Sequence, residues 1–147
     1  MDALKKIWVI VYRLNDSKLE LVLLKPNPEP GMNYDFYVIT GVVEQNETYK
    51  QAALRETLEE IGVKPIHIFN LEQTITYTDK FSKKVIKEKC FAVQVNNSEL
   101  TLNEEHISYK WVSMNEFEKM IWWVGPKDQL LTIISSFSEH LISLGLY

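Results

Sequence analysis

Glu56, Glu59 and Glu60 stand at i, i+3 and i+4, directly after Arg55. Successive helical residues rotate by about 100°, so the three carboxylates share one face of a helix. Lys50 is the one lysine between Gly41 and Val63, too far toward the N-terminus to neutralise them. Like charges four residues apart cost roughly a few tenths of a kcal/mol on an exposed helix, and more when half-buried. A hard divalent cation offsets such a cluster, and all-oxygen ligation suits Mg²⁺ or Mn²⁺. The chemistry that such an ion supports is neutralisation of phosphate charge and activation of water.

The elements that must hold these groups lie in the stretch GVVEQNETYKQAALRETLEEIGV, from Gly41 to Val63. It reads as a glycine turn followed by a helix that begins at Glu47 or Thr48. The helix stops at Gly62, a suitable C′ residue, with Pro65 soon after. Leu54, Leu58 and Ile61 fall opposite the acids, which predicts an apolar side toward the core and a carboxylate side facing away. Thr57 sits toward the edge of the apolar side, where its hydroxyl can bond back to the helix backbone.

Written out, the pattern is G-x5-E-x7-R-E-x-x-E-E-x-G-V, carried by Gly41, Glu47, Arg55, Glu56, Glu59, Glu60, Gly62 and Val63. It resembles the signature of the Nudix hydrolases, which cleave a nucleoside diphosphate linked to another group and use a divalent metal. The resemblance implies that Glu56, Glu59 and Glu60 bind Mg²⁺ or Mn²⁺, joined by a backbone carbonyl at Thr40 or Gly41. It implies that Arg55, together with Glu47, orients the carboxylates. Arg55 lies about 40° from Glu59 around the helix, close enough to pair with it. Three positions depart from the usual signature. Thr57 replaces an aliphatic residue, Thr40-Gly41 replaces Gly-Gly, and Asn46 replaces a glycine. Asn tolerates a left-handed backbone, so the turn can survive.

A second likeness lies downstream, in Glu104-Glu105-His106-Ile107-Ser108-Tyr109-Lys110-Trp111-Val112. It is similar to a Glu-His-x-x-Tyr-Lys/Arg-Trp-Leu element of several Nudix subfamilies. There the glutamate before the histidine reaches the metal centre from a loop, which makes Glu105 a candidate general base beside Glu56 and Glu59. Glu104 is the weaker neighbour. The turn Thr40–Glu44 and the segment Trp122–Gln129 resemble those of bacterial dATP and dihydroneopterin triphosphate pyrophosphohydrolases. That resemblance implies cleavage between the α and β phosphates, giving a monophosphate and pyrophosphate. An asymmetric diadenosine tetraphosphate hydrolase is the alternative. A non-catalytic nucleotide-binding module is the alternative of another class, although such modules usually lose a box carboxylate. A calcium-binding protein lacks its EF-hand loop here.

A base or pterin needs a stacking surface. Tyr34, Phe36, Tyr37, Tyr77, Phe81, Trp122 and Trp123 could supply one, with Tyr37 the leading choice. Lys25, which ends the second strand, is the expected phosphate contact, and Thr40 is a further expected substrate-binding residue. Lys80, Lys83, Lys84, Lys87 and Lys89 form a basic hairpin, read as a solvated strand pair.

Composition sets the outer bounds. The 147 residues have the size of one domain, taken as 1–147, and carry a net charge of −4, which argues against bulk nucleic-acid binding. The short N-terminal apolar run is broken by Arg13, and no stretch approaches the roughly 20 apolar residues of a membrane helix. One cysteine, Cys90, suits a reducing compartment such as the cytoplasm and reads as a half-buried strand residue. The expected partner is a small nucleoside or pterin triphosphate, bound by a monomer or homodimer.

The rest of the chain reads as strands over 6–14, 19–25, 35–40, 85–95 and 108–112, with one long strand or two over 66–78. A short helix capped by Ser113 and a terminal helix over 127–144 follow. This order predicts an α+β fold, an α/β/α sandwich around a mixed sheet. The Nudix resemblance implies the same architecture.

Overall fold

The computed structural model describes residues 3–28, 36–123 and 126–147. Tyr34, Val124, Gly125 and the start of the strand expected from Asp35 lie outside them. The sheet is built around β1 (Leu4–Asn15), whose run from Ile7 to Tyr12 is buried throughout. A continuous apolar run is what a strand covered on both faces requires. Asp16 and Ser17 adopt positive φ, 51° and 64°, and turn the chain into β2 (Lys18–Pro26). Then come β3 (Ile39–Val42), α1 (Tyr49–Ile61), β4 (His67–Thr78), β5 (Val85–Gln94), β6 (His106–Val112), α2 (Met114–Met120) and α3 (Lys127–Ser143).

The strands form one sheet in the order β4-β5-β1-β2-β6, with β3 also on β1. β1 and β5 run parallel and the other pairs antiparallel, so the sheet is mixed as expected. Ile7, Val9 and Val11 face α1 with Ala52, Ala53 and Ile61. Trp8, Ile10 and Tyr12 face Phe117 of α2 and Leu130 and Phe137 of α3. The result is the expected α/β/α sandwich.

One topological detail creates the site. β1 pairs with β3 along Lys6–Val9 and with β2 along Tyr12–Asn15. Beyond that hairpin β2 leaves β1 and pairs with β6 instead. The sheet therefore forks, with β3 on one prong and the β2–β6 pair on the other. A bridge from Leu24 to Tyr37 closes the crotch.

Two expectations are corrected. Gly41 is not in a turn: β3 continues through it to Val42, and Gly41 pairs with Ile7. The turn comes later, where Asn46 takes the left-handed φ of 65°. The orientation of α1 also differs. Its buried residues are Ala52, Ala53, Thr57, Glu60 and Ile61, whereas Leu58 is 52% exposed and Leu54 half-buried. Small side chains let the helix lie close to the sheet, so Ala52 and Ala53 rather than the leucines mark its inner side. Glu56 and Glu60 lie within that inner arc and point inward, not away. The Thr57 hydroxyl donates to Ala53 O at 2.7 Å, as expected, from the centre of the buried side.

The helix ends follow the sequence closely. Thr48 and Gln51 form a capping box at the start, and Gly62 at φ 66° ends the helix with its N–H on Leu58 O. Ser113 and Glu116 form the expected box on α2. The 66–78 segment is one strand, with an irregularity between Asn70 and Thr74 where Glu72 takes positive φ. Among the described residues, no helix is long and apolar enough to cross a membrane.

Candidate active site

Arg55 is the first organiser. Its Nε and Nη2 donate to the two oxygens of Glu47 at 2.8 and 3.0 Å. Nη1 donates to Glu56 Oε1 at 2.9 Å and to Glu59 Oε2 at 3.3 Å, and Nη2 also reaches Val42 O at 3.0 Å. One guanidinium thus ties the helix to the loop and to the end of β3, using the fork geometry that lysine lacks. The bond from Arg55 and one from the Glu44 N–H hold the Glu47 carboxyl well down, at about 2.

Gly41 faces the helix directly. A Cβ there would fall inside the Glu56 side chain, on its Cγ, Cδ and Oε1. Gly41→Ala is therefore expected to push the Glu56 carboxylate off Arg55. Turnover should fall by about 10²-fold, the usual cost of misplacing a reacting geometry by an ångström. Steady-state kinetics beside a circular dichroism melt checks this, because the fold should survive.

Glu60 behaves differently from Glu56 and Glu59. It is 2% exposed, and its Oε2 has no hydrogen-bond partner. Glu59, by contrast, is half-exposed on Arg55. Burial pushes the Glu60 carboxyl up to about 10, helped by Glu56, Glu105 and Glu59 nearby.

The loop before β6 brings the other groups in. Thr101 N–H donates to Ile61 O and Asn103 N–H to Glu60 O, satisfying carbonyls at the end of α1. Asn103 Oδ1 accepts from the Glu105 N–H, and Asn27 N–H from the end of β2 donates to Glu105 O. With the His106 N–H on Asn103 O, three hydrogen bonds hold residues 105 and 106. His106 Nδ1 comes to 3.7 Å from Glu60 Oε1, is buried, and also lacks a hydrogen-bond partner. Ligand atoms of Glu60, Glu105 and His106 lie within 4.8 Å of one another.

These groups open into a cleft of about 530 Å³ in the fork of the sheet. Thr40, Gly41 and Val42 form one wall, the segments around Asn27 and Glu105 form the other, and Glu60 lies between them. Lys6 and Tyr37 also line it. Of the candidates from sequence, Thr40, Gly41, Tyr37, Glu60 and Glu105 meet here, while Lys25 is absent from the lining. Lys6 and His106 also line the cleft and were not among the sequence candidates. Lys6 looked like the flank of a hydrophobic strand, and only its pairing opposite Val42 brings it to the cleft. Of the other aromatic candidates, Phe81 is 93% exposed, Trp123 packs edge-on against Trp8, and Tyr77 hydrogen-bonds the buried Glu88. Trp111 stacks under Arg13 at 4.0 Å. Cys90 is fully buried, which raises its thiol.

A family model described as the NUDIX domain matches residues 5–131. The chain belongs to the Nudix family. This Nudix chain is 26% identical over 123 residues to the asymmetrical bis(5'-nucleosyl)-tetraphosphatase of Mus musculus, covering 78% of this chain and 82% of that one. An octanoyltransferase of Myxococcus xanthus is 26% identical over 113 residues, 76% of this chain, and the chain spans only 31% of that relative's length. Among solved structures, a C. elegans Ap4A hydrolase binary complex superposes with a TM-score of 0.76 at 25% identity, covering 96% and 99% of the two chains. The E. coli dihydroneopterin triphosphate pyrophosphohydrolase superposes with a TM-score of 0.68 at 19% identity, covering 88% and 91%. As a Nudix hydrolase, the domain acts on phosphoanhydride bonds.

The residues present fit the divalent ion that Nudix chemistry needs. The buried, unpartnered Glu60 oxygen is the deciding feature, because a carboxylate is left orphaned inside a protein only at a cost. A pH signature follows. A raised folded pKa means that the folded state binds more protons than the unfolded one between about 4.5 and 10. Glu60 therefore subtracts stability as pH rises through that window. Glu47 acts in the opposite sense, its contribution being lost as pH falls from 4.5 toward 2. The depressed His106, shifted by burial, likewise favours the folded state as pH rises through its range. In EDTA the melting temperature should peak on the acid side of neutrality, and added Mg²⁺ or Mn²⁺ should raise it most at alkaline pH. Scanning fluorimetry across pH, with and without metal, measures both effects.

Proposed function

We propose that this domain hydrolyses a nucleoside triphosphate-like substrate, such as dATP, another nucleotide or dihydroneopterin triphosphate, to a monophosphate and pyrophosphate. The observation that carries the reading is the unpartnered Glu60 carboxylate oxygen at a cleft also lined by Lys6 and Tyr37. A volume of about 530 Å³ suits a nucleotide-sized ligand. Glu60, with Glu56, Glu59 and a carbonyl of Thr40 or Gly41, would hold Mg²⁺ or Mn²⁺. Bound there, the ion neutralises phosphate charge and lowers the pKa of water.

The chain's own groups do the rest. Lys6 takes the phosphate-contact role assigned above to Lys25, and the Thr40 segment positions the anhydride against it. Tyr37 offers its ring to the base. Glu105, exposed on its loop, removes a proton from the attacking water. Arg55 and Glu47 fix the carboxylates, so their geometry is set before substrate arrives. A cytoplasmic setting fits the reduced, buried Cys90.

A second reading, asymmetric cleavage of a dinucleoside tetraphosphate, is favoured by the mouse relative and the C. elegans structure. A panel of dATP, dGTP, dihydroneopterin triphosphate and diadenosine tetraphosphate with Mg²⁺ separates the two, with products resolved by ion-exchange chromatography. The proposal expects pyrophosphate and a monophosphate from the triphosphates. ATP and AMP formed much faster from the tetraphosphate would move the assignment to the second reading. Tight nucleotide binding with no turnover on any member would make the domain a binding module.

A further inference from the structure

We propose that the metal centre of this chain carries a nitrogen ligand, the imidazole of His106, alongside the Glu60 carboxylate. The proposal rests on the reading that Glu60 holds the ion, but not on the identity of the substrate. Two buried polar atoms in the cleft lack hydrogen-bond partners, Glu60 Oε2 and His106 Nδ1. The His106 side chain is 8% exposed and the Glu60 side chain 3%. His106 Nδ1 stands 3.7 Å from the other oxygen of that carboxylate, Glu60 Oε1, too long for a hydrogen bond. Two ligands of one ion, each about 2.1 Å from it, stand between about 3 and 4.2 Å apart. The observed spacing falls inside that range.

Competition for the box carboxylates points the same way. Arg55 draws Glu56 at 2.9 Å and Glu59 at 3.3 Å. The residues whose ligand atoms group with those of Glu60, all within 4.8 Å of one another, are Glu105 and His106. The other two histidines, His67 and His140, stack on each other, with His140 packed on the opposite face of the sheet from α1. His106 is thus the one imidazole available to the site. A mixed oxygen and nitrogen set favours Mn²⁺ or Co²⁺ over Mg²⁺, which keeps to oxygen.

The test uses the tag-free full chain with substoichiometric Mn²⁺. Electron spin-echo envelope modulation should show nitrogen coupling to the ion. Selective ¹⁵N-histidine labelling should convert that signal to the ¹⁵N pattern, and His106→Gln should remove it. Calorimetry should find Mn²⁺ affinity lowered by about tenfold or more in His106→Gln, with Mg²⁺ affinity changed much less. The labelled wild type needs no variant, so a misfolded substitution does not decide the outcome. Absence of nitrogen coupling in the wild type overturns the proposal. So does an equal loss of Mg²⁺ and Mn²⁺ affinity in the variant, which would make His106 a structural prop. Hydrolysis with Mg²⁺ but no coupling would sink this inference and leave the hydrolase reading intact. Coupling without hydrolysis of any substrate would do the reverse.

Discussion

Glu60→Gln is expected to lower turnover by about 10³-fold or more while making the metal-free protein more stable. The two effects have one cause. Glu60 is buried among Glu56, Glu59 and Glu105, and its carboxyl is pushed far above the usual range. Without a cation, the folded state must either keep that proton or hold an unpaired charge at low dielectric. Glutamine has nearly the same shape and no charge, so the penalty disappears. At pH 7 the gain should be on the order of 2 kcal/mol, shrinking toward zero near pH 4, where the unfolded carboxyl is also protonated. The same substitution removes the anionic ligand best sheltered from Arg55, so the ion is lost and with it the charge stabilisation of the reaction. Urea melts in EDTA and single-turnover hydrolysis in Mg²⁺ read the two effects separately. A variant that is less stable without metal would show that Glu60 is paired in the free protein.

Arg55→Ala should cost about 10²-fold in turnover and also destabilise the fold, in contrast to Glu60→Gln. Its guanidinium reaches Glu47, Glu56, Glu59 and the Val42 carbonyl at once. Removing it leaves two half-buried carboxylates beside Glu60 without their counter-charge, and unties α1 from β3. Charge-assisted hydrogen bonds are worth about 1.5–3 kcal/mol each where water is excluded, and part of that is recovered by solvent here. Arg55→Lys should restore charge but not geometry, because a single ammonium cannot hold Glu47 at both oxygens while reaching Glu56. The expected order of turnover is wild type, then lysine, then alanine. A lysine variant equal to wild type would mean that charge alone suffices.

The local structure was legible where a short-range rule decides it. Thr48, Asn46, Gly62 and Ser113 each act within a turn or so of chain, and each did what its type suggests. The orientation of α1 was not legible, because Leu54 and Leu58 outweigh Ala52 and Ala53 in any count of hydrophobicity. Packing against the sheet instead rewards close approach, and the alanines permit it. Once the helix is turned that way, Glu56 and Glu60 face inward. An acidic stripe that looks ordinary in solvent becomes a cluster graded from the exposed Glu59 through the half-buried Glu56 to the buried Glu60.

By itself the sequence determined the family, the mixed α/β/α architecture and the charged residues available for chemistry. It did so because spacing along one helix fixes which side chains are neighbours. Only the tertiary structure decided how those residues divide. Glu56 and Glu59 go to Arg55, and Glu60 turns toward a loop more than forty residues downstream. Lys6 and His106 enter the cleft only because β2 leaves β1 and opens the sheet. Those contacts depend on strand pairing between distant segments, and no periodicity along the chain records them.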